Sequence, residues 1–338
     1  MSNQSPANIV DLRWNPKDAM GWAPIAHMIG LLAHYIGQPP SEVGWRDPSR
    51  LKRFMWSHIL KSKRGQEGIA LHMLYQPGLM AGLLNDPGFR KPVRKRVVWI
   101  VDSFHTDEVM QGLLRHFDHI VIMQGYERPF YERFLPGRVS VLPWGCDALG
   151  LGSAERGRPY DLLRVGRQPP EWENDETTAQ SLLEGGLSFH GRPPDVGYKG
   201  LQEYYRRAKY VLAFSNQAAP SSYTHRSKEY YTGRWTDALA SGAVVAGIPP
   251  RSDRGVEDLL WDEALLDLGS ISREEGLNRL KEAWADWRYE TAQINYRNAL
   301  ARLDWRWRFK KLFDELELHS PCLEEDLNYI RTVISQKL

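Results

Sequence analysis

Short β-branched apolar runs recur along this 338-residue chain, each separated from the next by a longer amphipathic stretch. That alternation limits the fold more than any other feature, because strands that repeat with a helix between them form parallel sheets. "RVVWIVDSF" (96–104), "HIVIMQG" (119–125), "KYVLAFSN" (209–216) and "AVVAGI" (243–248) read as buried strands. They are apolar without interruption, as a strand covered on both faces must be. "NIVDL" (8–12) reads as a first strand, and "WAPIAHMIGLLAHYIG" (22–37) has helical spacing with a closing glycine. "EVMQGLLRHF" (108–117) and "GLQEYYRRA" (200–208) read as helices. "IALHMLYQ" fits a strand or a buried helix equally well. The tail from about Ser272 to Leu338 is helical throughout, with Trp305 and Trp307 expected as packing residues where it returns to the first domain.

The alternation runs twice. "RVSVLPWGCDAL" (138–149) reads as the last strand of a first series, and the glycine-rich "GLGSAERGRPY" after it is the expected linker. "DLLRVGR" (161–167) and "GLSFHGR" (186–192) open the second series. The expected fold is therefore α/β with two Rossmann-like domains facing a central cleft: 1–150, then 151–315, with 316–338 as a helix packing back on the first. Length supports two domains at roughly 150 residues each. In open parallel sheets ligands bind beyond the carboxyl ends of the strands, so the polar residues that follow strands are the candidates for function.

Composition excludes several classes. The 44 basic and 42 acidic residues leave a net charge of +2, too little to attract nucleic acid as a whole. Two cysteines, Cys146 and Cys322, form neither a disulfide framework nor a zinc site. No basic leader with an apolar core and no long apolar run is visible, so the expected location is the cytoplasm. No Asp-x-Asp follows a strand, and His190 and His225 lack partners at ligand spacing, so no metal is expected.

The segment "KEYYTGRWTDALASGAVVAG" (228–247) changes character halfway, from charged and aromatic to small and apolar. It follows a strand and a polar loop, so its charged front belongs at the carboxyl edge of the second sheet. Thr232 is the expected N-cap, with Gly242 as the stop. A helix N-terminus presents unpaired N–H groups and partial positive charge, which suits a phosphate, and Arg234 in the first turn adds a charge-assisted clamp. Asp237 repels a phosphate but suits the vicinal hydroxyls of a ribose. Phosphate beside ribose implies a nucleotide. The competing reading is a local i,i+3 ion pair between Arg234 and Asp237 on a solvated face.

This segment resembles the nucleotide-sugar signature of glycosyltransferases with the GT-B fold. In the group-1 family a Glu, seven residues and a second Glu precede a small-residue run, and here Glu229, seven residues and Asp237 precede "ALASGAVVAG". The resemblance implies that Glu229 lies near the donor sugar and that Asp237 binds the ribose. Arg234 to Gly242 also resembles the Arg-x-x-Glu-Ala-Leu-Ala-x-Gly of the spore-maturation-type (CgeB-like) branch, with Asp for Glu. "EYYTGRWTDAL" is similar to the Asp-Tyr-x-Thr-Glu-Lys motif of α-1,3-fucosyltransferases, where a lysine meets the donor diphosphate and Arg234 would replace it. "VLPWGCD" (141–147) and "RVGR" (164–167) resemble the end of the first domain and the start of the second in group-1 enzymes. Arg167 then corresponds to the arginine that clamps the diphosphate. The lysine that accompanies it has no counterpart in "QPPEWEN", so Arg226, Lys228 or Arg234 would take its place.

In the first domain "RVVWIVDSFHTDEV" ends in Asp102 and His105, where related enzymes carry a sugar contact or a catalytic base. Histidine meets the pKa requirement of a base most easily. Gly21, with Trp22, follows the first strand and would approach the donor phosphates or the acceptor. The resemblance thus implies a metal-independent glycosyltransferase with no cofactor, using a nucleotide-diphosphate sugar as co-substrate and a sugar or glycolipid hydroxyl as acceptor. A hydrolysing sugar-nucleotide epimerase of the same fold and a non-catalytic nucleotide-binding module are the alternatives. Residues 46–66 read as one basic, amphipathic helix, either packed with a solvated basic face or lying on an anionic membrane.

Overall fold

A computed structural model describes residues 10–15, 20–43, 48–251 and 259–336. The chain forms two compact units, Met1–Pro143 with Glu315–Ser320, and Trp144–Asp314 with Pro321–Leu338.

The first unit is built on strands β1 (Val10–Trp14), β2 (Ser41–Glu42), β3 (Arg64–Leu74), β4 (Val93–Ile100), β5 (His119–Ile122) and β6 (Val139–Val141), in the order β2-β1-β3-β4-β5-β6. Every neighbouring pair is parallel. The stretch that fitted helix or strand is β3, and Ile69 to Leu74 are buried without a break, as a strand covered on both faces requires. Helices α1 (Ala23–Ile36), α2 (Arg50–His58), α3 (Gln111–Leu114) and α4 (Arg128–Glu132) complete the unit. Gly37 closes α1 at φ 77°, the left-handed cap expected of it. Helix α3 is much shorter than its periodicity suggested, because 106–108 form a separate 3-10 turn. The basic helix expected over 46–66 is also corrected: it runs only from Arg50 to His58, Arg64 to Gln66 already belong to β3, and 46–47 lie outside the described residues.

The second unit carries β7 (Tyr160–Arg164), β8 (Phe189–His190), β9 (Ala208–Phe214), β10 (Val244–Ile248) and β11 (Leu265–Asp267), all parallel, in the order β11-β10-β9-β7-β8. Around them lie α5 (Ala148–Leu151), α6 (Asp175–Leu183), α7 (Gly197–Arg206), α8 (Gly233–Ala240), α9 (Arg273–Asp286), α10 (Tyr289–Arg302), α11 (Trp305–Leu316) and α12 (Pro321–Ser335). Helix α8 is buried from Trp235 to Ala240 and packs with Leu163, Val211 and Val245 of the sheet. Its small residues allow that close approach.

Two expectations about the ends of the units are corrected. The glycine-rich stretch after residue 149 is packed rather than a free linker: Ser153 N–H donates to Ala240 O at 3.0 Å, and the buried Arg158 donates to Ala208 O and Ser241 O, both at 2.6 Å. The C-terminal helix α12 belongs to the second unit, where Ile330 lies in a core cluster and Leu323 and Leu327 are buried. Only 315–320 belongs to the first unit, where Glu315 pairs with His119 at 3.2 Å. Trp305 accordingly packs in the second unit, 6.4 Å from Trp144.

In both sheets the chain reverses its direction of growth once. Strand β7 has β8 on one side and β9 on the other, and β1 has β2 and β3. Such switch points leave a crevice at the carboxyl ends of the two strands, because the loops from them leave in opposite directions.

Candidate functional site

The switch point of the second unit gathers residues from three segments. After β7 the backbone turns at Gly166 with φ 79°, a conformation that costs any residue with a Cβ about 1 kcal/mol or more. A Cβ there would also lie 2.8 Å from Cδ and Nη1 of Arg234. The glycine thus lets a guanidinium lie across the turn. Arg234 Nη1 donates weakly to Val165 O at 3.4 Å and Arg167 O at 3.3 Å. After β9, Asn216 is buried and joins the other two segments. Its side-chain oxygen accepts from Arg167 Nη2 at 3.5 Å, and its amide donates to Lys228 O at 3.2 Å.

Arg167 and Arg234 therefore lie close together, and among the described residues neither has a carboxylate partner. Burial lowers the pKa of Arg234, and the charge of Arg167 lowers it further. Arg167 Nη1 and both amide atoms of Gln168 are buried without a hydrogen-bond partner among the described residues. Buried polar groups in folded proteins are almost always paired, so these three atoms are open to water or to a polar ligand. The ring of Tyr223, 69% exposed, lies 5.0 Å from the Arg167 guanidinium and covers it by a cation–π contact.

Helix α8 begins at this point, with Thr232 as the expected N-cap and Gly242, at φ 80°, as the stop. The Thr232 side chain makes no cap hydrogen bond, so it does not satisfy the first-turn N–H groups. Helix dipole, Arg234 and Arg167 then act on one region, and all three favour an anion.

Asp237, on α8, lies beside Tyr198 of α7. It is 3% exposed and accepts a hydrogen bond from Tyr198 Oη at 2.9 Å. Burial raises its pKa to about 7, while hydrogen bonds from Tyr198 and Gln202 act to lower it. No ion pair joins Asp237 to Arg234, so the local-pair reading fails. Glu229 is half-buried, and its Oε2 accepts from the backbone N–H of Arg251 at 3.1 Å. Lys228 reaches the cluster through its backbone carbonyl, and Arg226 is exposed on the loop before it.

In the first unit Asp102 and His105 follow β4 on a braced turn. Ser103 donates to Gln124 Oε1 from N–H at 3.0 Å and from Oγ at 2.6 Å, and Tyr131 Oη donates to Ser103 O at 2.9 Å. His105 lies with its ring 4.2 Å from that of Phe104 and its Nδ1 3.7 Å from Glu108 Oε1. Glu108 in turn lies over Gly78, where a Cβ would meet Oε2 at 2.6 Å. At this unit's switch point Trp22 and Tyr75 pair at 4.4 Å between ring centroids. Gly21 beside them is exposed, and an added Cβ would meet nothing within 4 Å.

Sequence reasoning missed Gln168, Tyr198, Asn216, Tyr223 and Glu108. Asn216 and Tyr223 carried a signal, since both follow β9 at the carboxyl edge. Tyr198 carried none, being 39 residues from Asp237 on another helix. No group of three or more His, Cys, Asp or Glu side chains that could hold a metal occurs among the described residues.

No protein-family model and no curated protein matches the sequence. Solved structures do resemble the fold. HepE of Anabaena, solved in complex with UDP, aligns over 91% of this chain and 99% of its own at 10% identity, with a TM-score of 0.55. AviGT4, a glycosyltransferase involved in avilamycin A biosynthesis, aligns over 91% of this chain and 97% of its own at 13% identity, with a TM-score of 0.52. Against TarM, at 11% identity and a TM-score of 0.48, the chain spans 57% of that protein's length. The likeness to HepE and AviGT4 shows the fold, two Rossmann-like α/β units in the GT-B arrangement of strands and helices.

Proposed function

We propose that the protein is a glycosyltransferase that moves a sugar from a nucleotide-diphosphate donor to a hydroxyl acceptor, a glycan, lipid-linked glycan or small molecule. The observation that carries this reading is the Arg167–Arg234 pair, two cations that have no carboxylate partner among the described residues, with Arg234 laid across Gly166 where Thr232 gives α8 no side-chain cap. Holding two cations together in a half-buried place is costly unless an anion joins them. A diphosphate supplies two negative charges and accepts bidentate hydrogen bonds from arginine.

In the proposed reaction the bond between the anomeric carbon and the diphosphate oxygen breaks, and the acceptor oxygen bonds to that carbon. The acceptor proton passes to a base, and the diphosphate leaves with the electron pair. Arg167 and Arg234, with the α8 dipole, stabilise the charge that develops on the leaving group, so the chemistry proposed needs no cation. His105 is the proposed base, with the Glu108 carboxylate 3.7 Å from its Nδ1 to favour the imidazolium that forms. Asp102 is its alternate. Glu229 is assigned to the donor sugar from the motif spacing, and Arg226 and Lys228 are proposed as further donor contacts. Asp237 is proposed to meet the ribose after Tyr198 is displaced. Gly21 is proposed to leave room for the acceptor. The branch proposed is the spore-maturation-type one, from the Arg234–Gly242 pattern. HepE with its bound UDP and AviGT4 with its glycosyltransferase activity support the reading by likeness of fold.

The test is turnover of a panel of UDP, GDP, dTDP and CMP sugars with and without a pool of glycan and glycolipid acceptors. Nucleotide release that depends on acceptor supports a transferase. Acceptor-independent conversion of the donor indicates an epimerase, and binding without any turnover a non-catalytic module.

A further inference from the structure

Helix α2 presents the wrong face to solvent. A surface helix ordinarily turns its apolar stripe inward, because that burial is what holds it in place. In α2 the stripe at i, i+3 and i+4 points out: Leu51 is 68% exposed, Phe54 54% and Met55 36%, and Ile59 just beyond the helix is 62% exposed. No residue of α2 is buried. The Phe54 ring stacks on that of His58 at 4.8 Å.

The helix is fixed in this orientation by its other side. Lys52 Nζ donates to Asn85 Oδ1. Trp56 packs 5.7 Å from Phe89 and 5.4 Å from His116, whose Nε2 lies 2.8 Å from Trp56 O. The guanidinium of Arg115 spans the C-terminal end, donating to the carbonyls of Trp56 at 3.1 Å, His58 at 3.4 Å and Leu60 at 3.1 Å. The outward stripe is thus the product of specific contacts rather than of loose packing.

Charge identifies what would cover it. Residues 48–66 contain six Lys or Arg and no acidic residue. Arg50, Lys61 and Lys63 are exposed beside the stripe, and Arg64, whose side chain is 69% exposed, is paired with Asp118 at 2.5 Å. A second copy of the same face would set cations against cations. An apolar stripe with a basic rim matches instead the boundary between acyl chains and anionic headgroups. We propose that α2 docks this protein on the surface of an anionic lipid bilayer, with Leu51, Phe54, Met55 and Ile59 inserted and Arg50, Lys61 and Lys63 at the headgroups. The inference stands apart from the nucleotide site, since none of these residues belongs to it.

The test is co-sedimentation of the full chain with vesicles of phosphatidylcholine alone or of phosphatidylcholine and phosphatidylglycerol in equal parts. Binding is expected to the anionic vesicles and to fall as salt is raised. The double variant Leu51→Ser/Phe54→Ser is expected to lose about tenfold or more in partitioning. Lys61→Glu/Lys63→Glu is expected to lose at least about twentyfold, as each basic contact contributes a factor of roughly five. Both variants replace exposed side chains, so an unchanged melting temperature and unchanged nucleotide affinity confirm that they fold. Failure of the wild type to bind anionic vesicles would overturn the proposal, as would undiminished binding by both variants. So would self-association that Leu51→Ser/Phe54→Ser abolishes while vesicle binding is absent, because the stripe would then be covered by a second copy.

Discussion

Arg234 and Asp237 stand three residues apart on α8, and their surroundings give them opposite fates. Arg234 lies across a glycine beside two backbone carbonyls and another cation, whereas Asp237 is buried against Tyr198. Gly166→Ala is expected to disturb the first of these, forcing a Cβ into a positive-φ turn and against Arg234. It should cost about 1–3 kcal/mol of stability and weaken nucleotide binding, both readable in one thermal-shift titration; affinity equal to wild type would mean that Arg234 need not occupy this place.

Asp237 gives a pH dependence with a definite sign. Its folded-state pKa is raised to about 7, above its ordinary value near 3.8, so the folded state holds a proton there that the unfolded chain releases. Its effect on stability is therefore most favourable at low pH and declines as pH rises between those two values. Asp237→Asn keeps an acceptor for Tyr198 and removes the titration. The variant should gain in melting temperature relative to wild type as pH increases from 5 to 8, and parallel profiles would contradict the burial of this carboxyl. His72 has the converse dependence: buried on β3, with its pKa pushed down to about 3 by burial, it is neutral in the fold and contributes to instability as pH falls below about 6.5. His72→Phe, beside Phe89 and Phe117, should lessen acid unfolding in that window.

At the scale of elements, the long buried strands were legible because a parallel strand covered on both faces needs an uninterrupted apolar run. β4 and β9 are of this kind. β2 and β11 span only two and three residues, too few for any periodicity, and went unseen. Periodicity also says which residues share a helix face but not which way the face points. The α2 stripe and the α12 stripe look alike in sequence, yet one faces solvent and the other lies in the second unit's core. The Arg167–Arg234 contact spans 67 residues and was reachable only through the rule that loops after adjacent parallel strands converge, whereas nothing local announced Tyr198 over Asp237. Since Leu327 of α12 is fully buried, Leu327→Ala should cost about 2–5 kcal/mol, and a cost near zero would contradict the packing of α12. That loss belongs to the unit that carries the nucleotide site.

For the whole molecule, each unit has its own sheet and its own core, and the chain passes between them at 143–144 and again around 315–320. Calorimetric unfolding should accordingly resolve two transitions. Nucleoside diphosphate at about 100 times its dissociation constant should add about 2.7 kcal/mol to the second unit alone, raising one transition. The assignment of donor binding to the second unit rests on Arg167 and Arg234, and its most direct test is calorimetric titration of nucleoside diphosphates into wild type, Arg167→Ala and Arg234→Ala. At least one diphosphate of the panel should bind the wild type, and each substitution should weaken it by about 1–3 kcal/mol, a loss of roughly five- to 150-fold. Affinity that is the same in all three proteins would contradict the account.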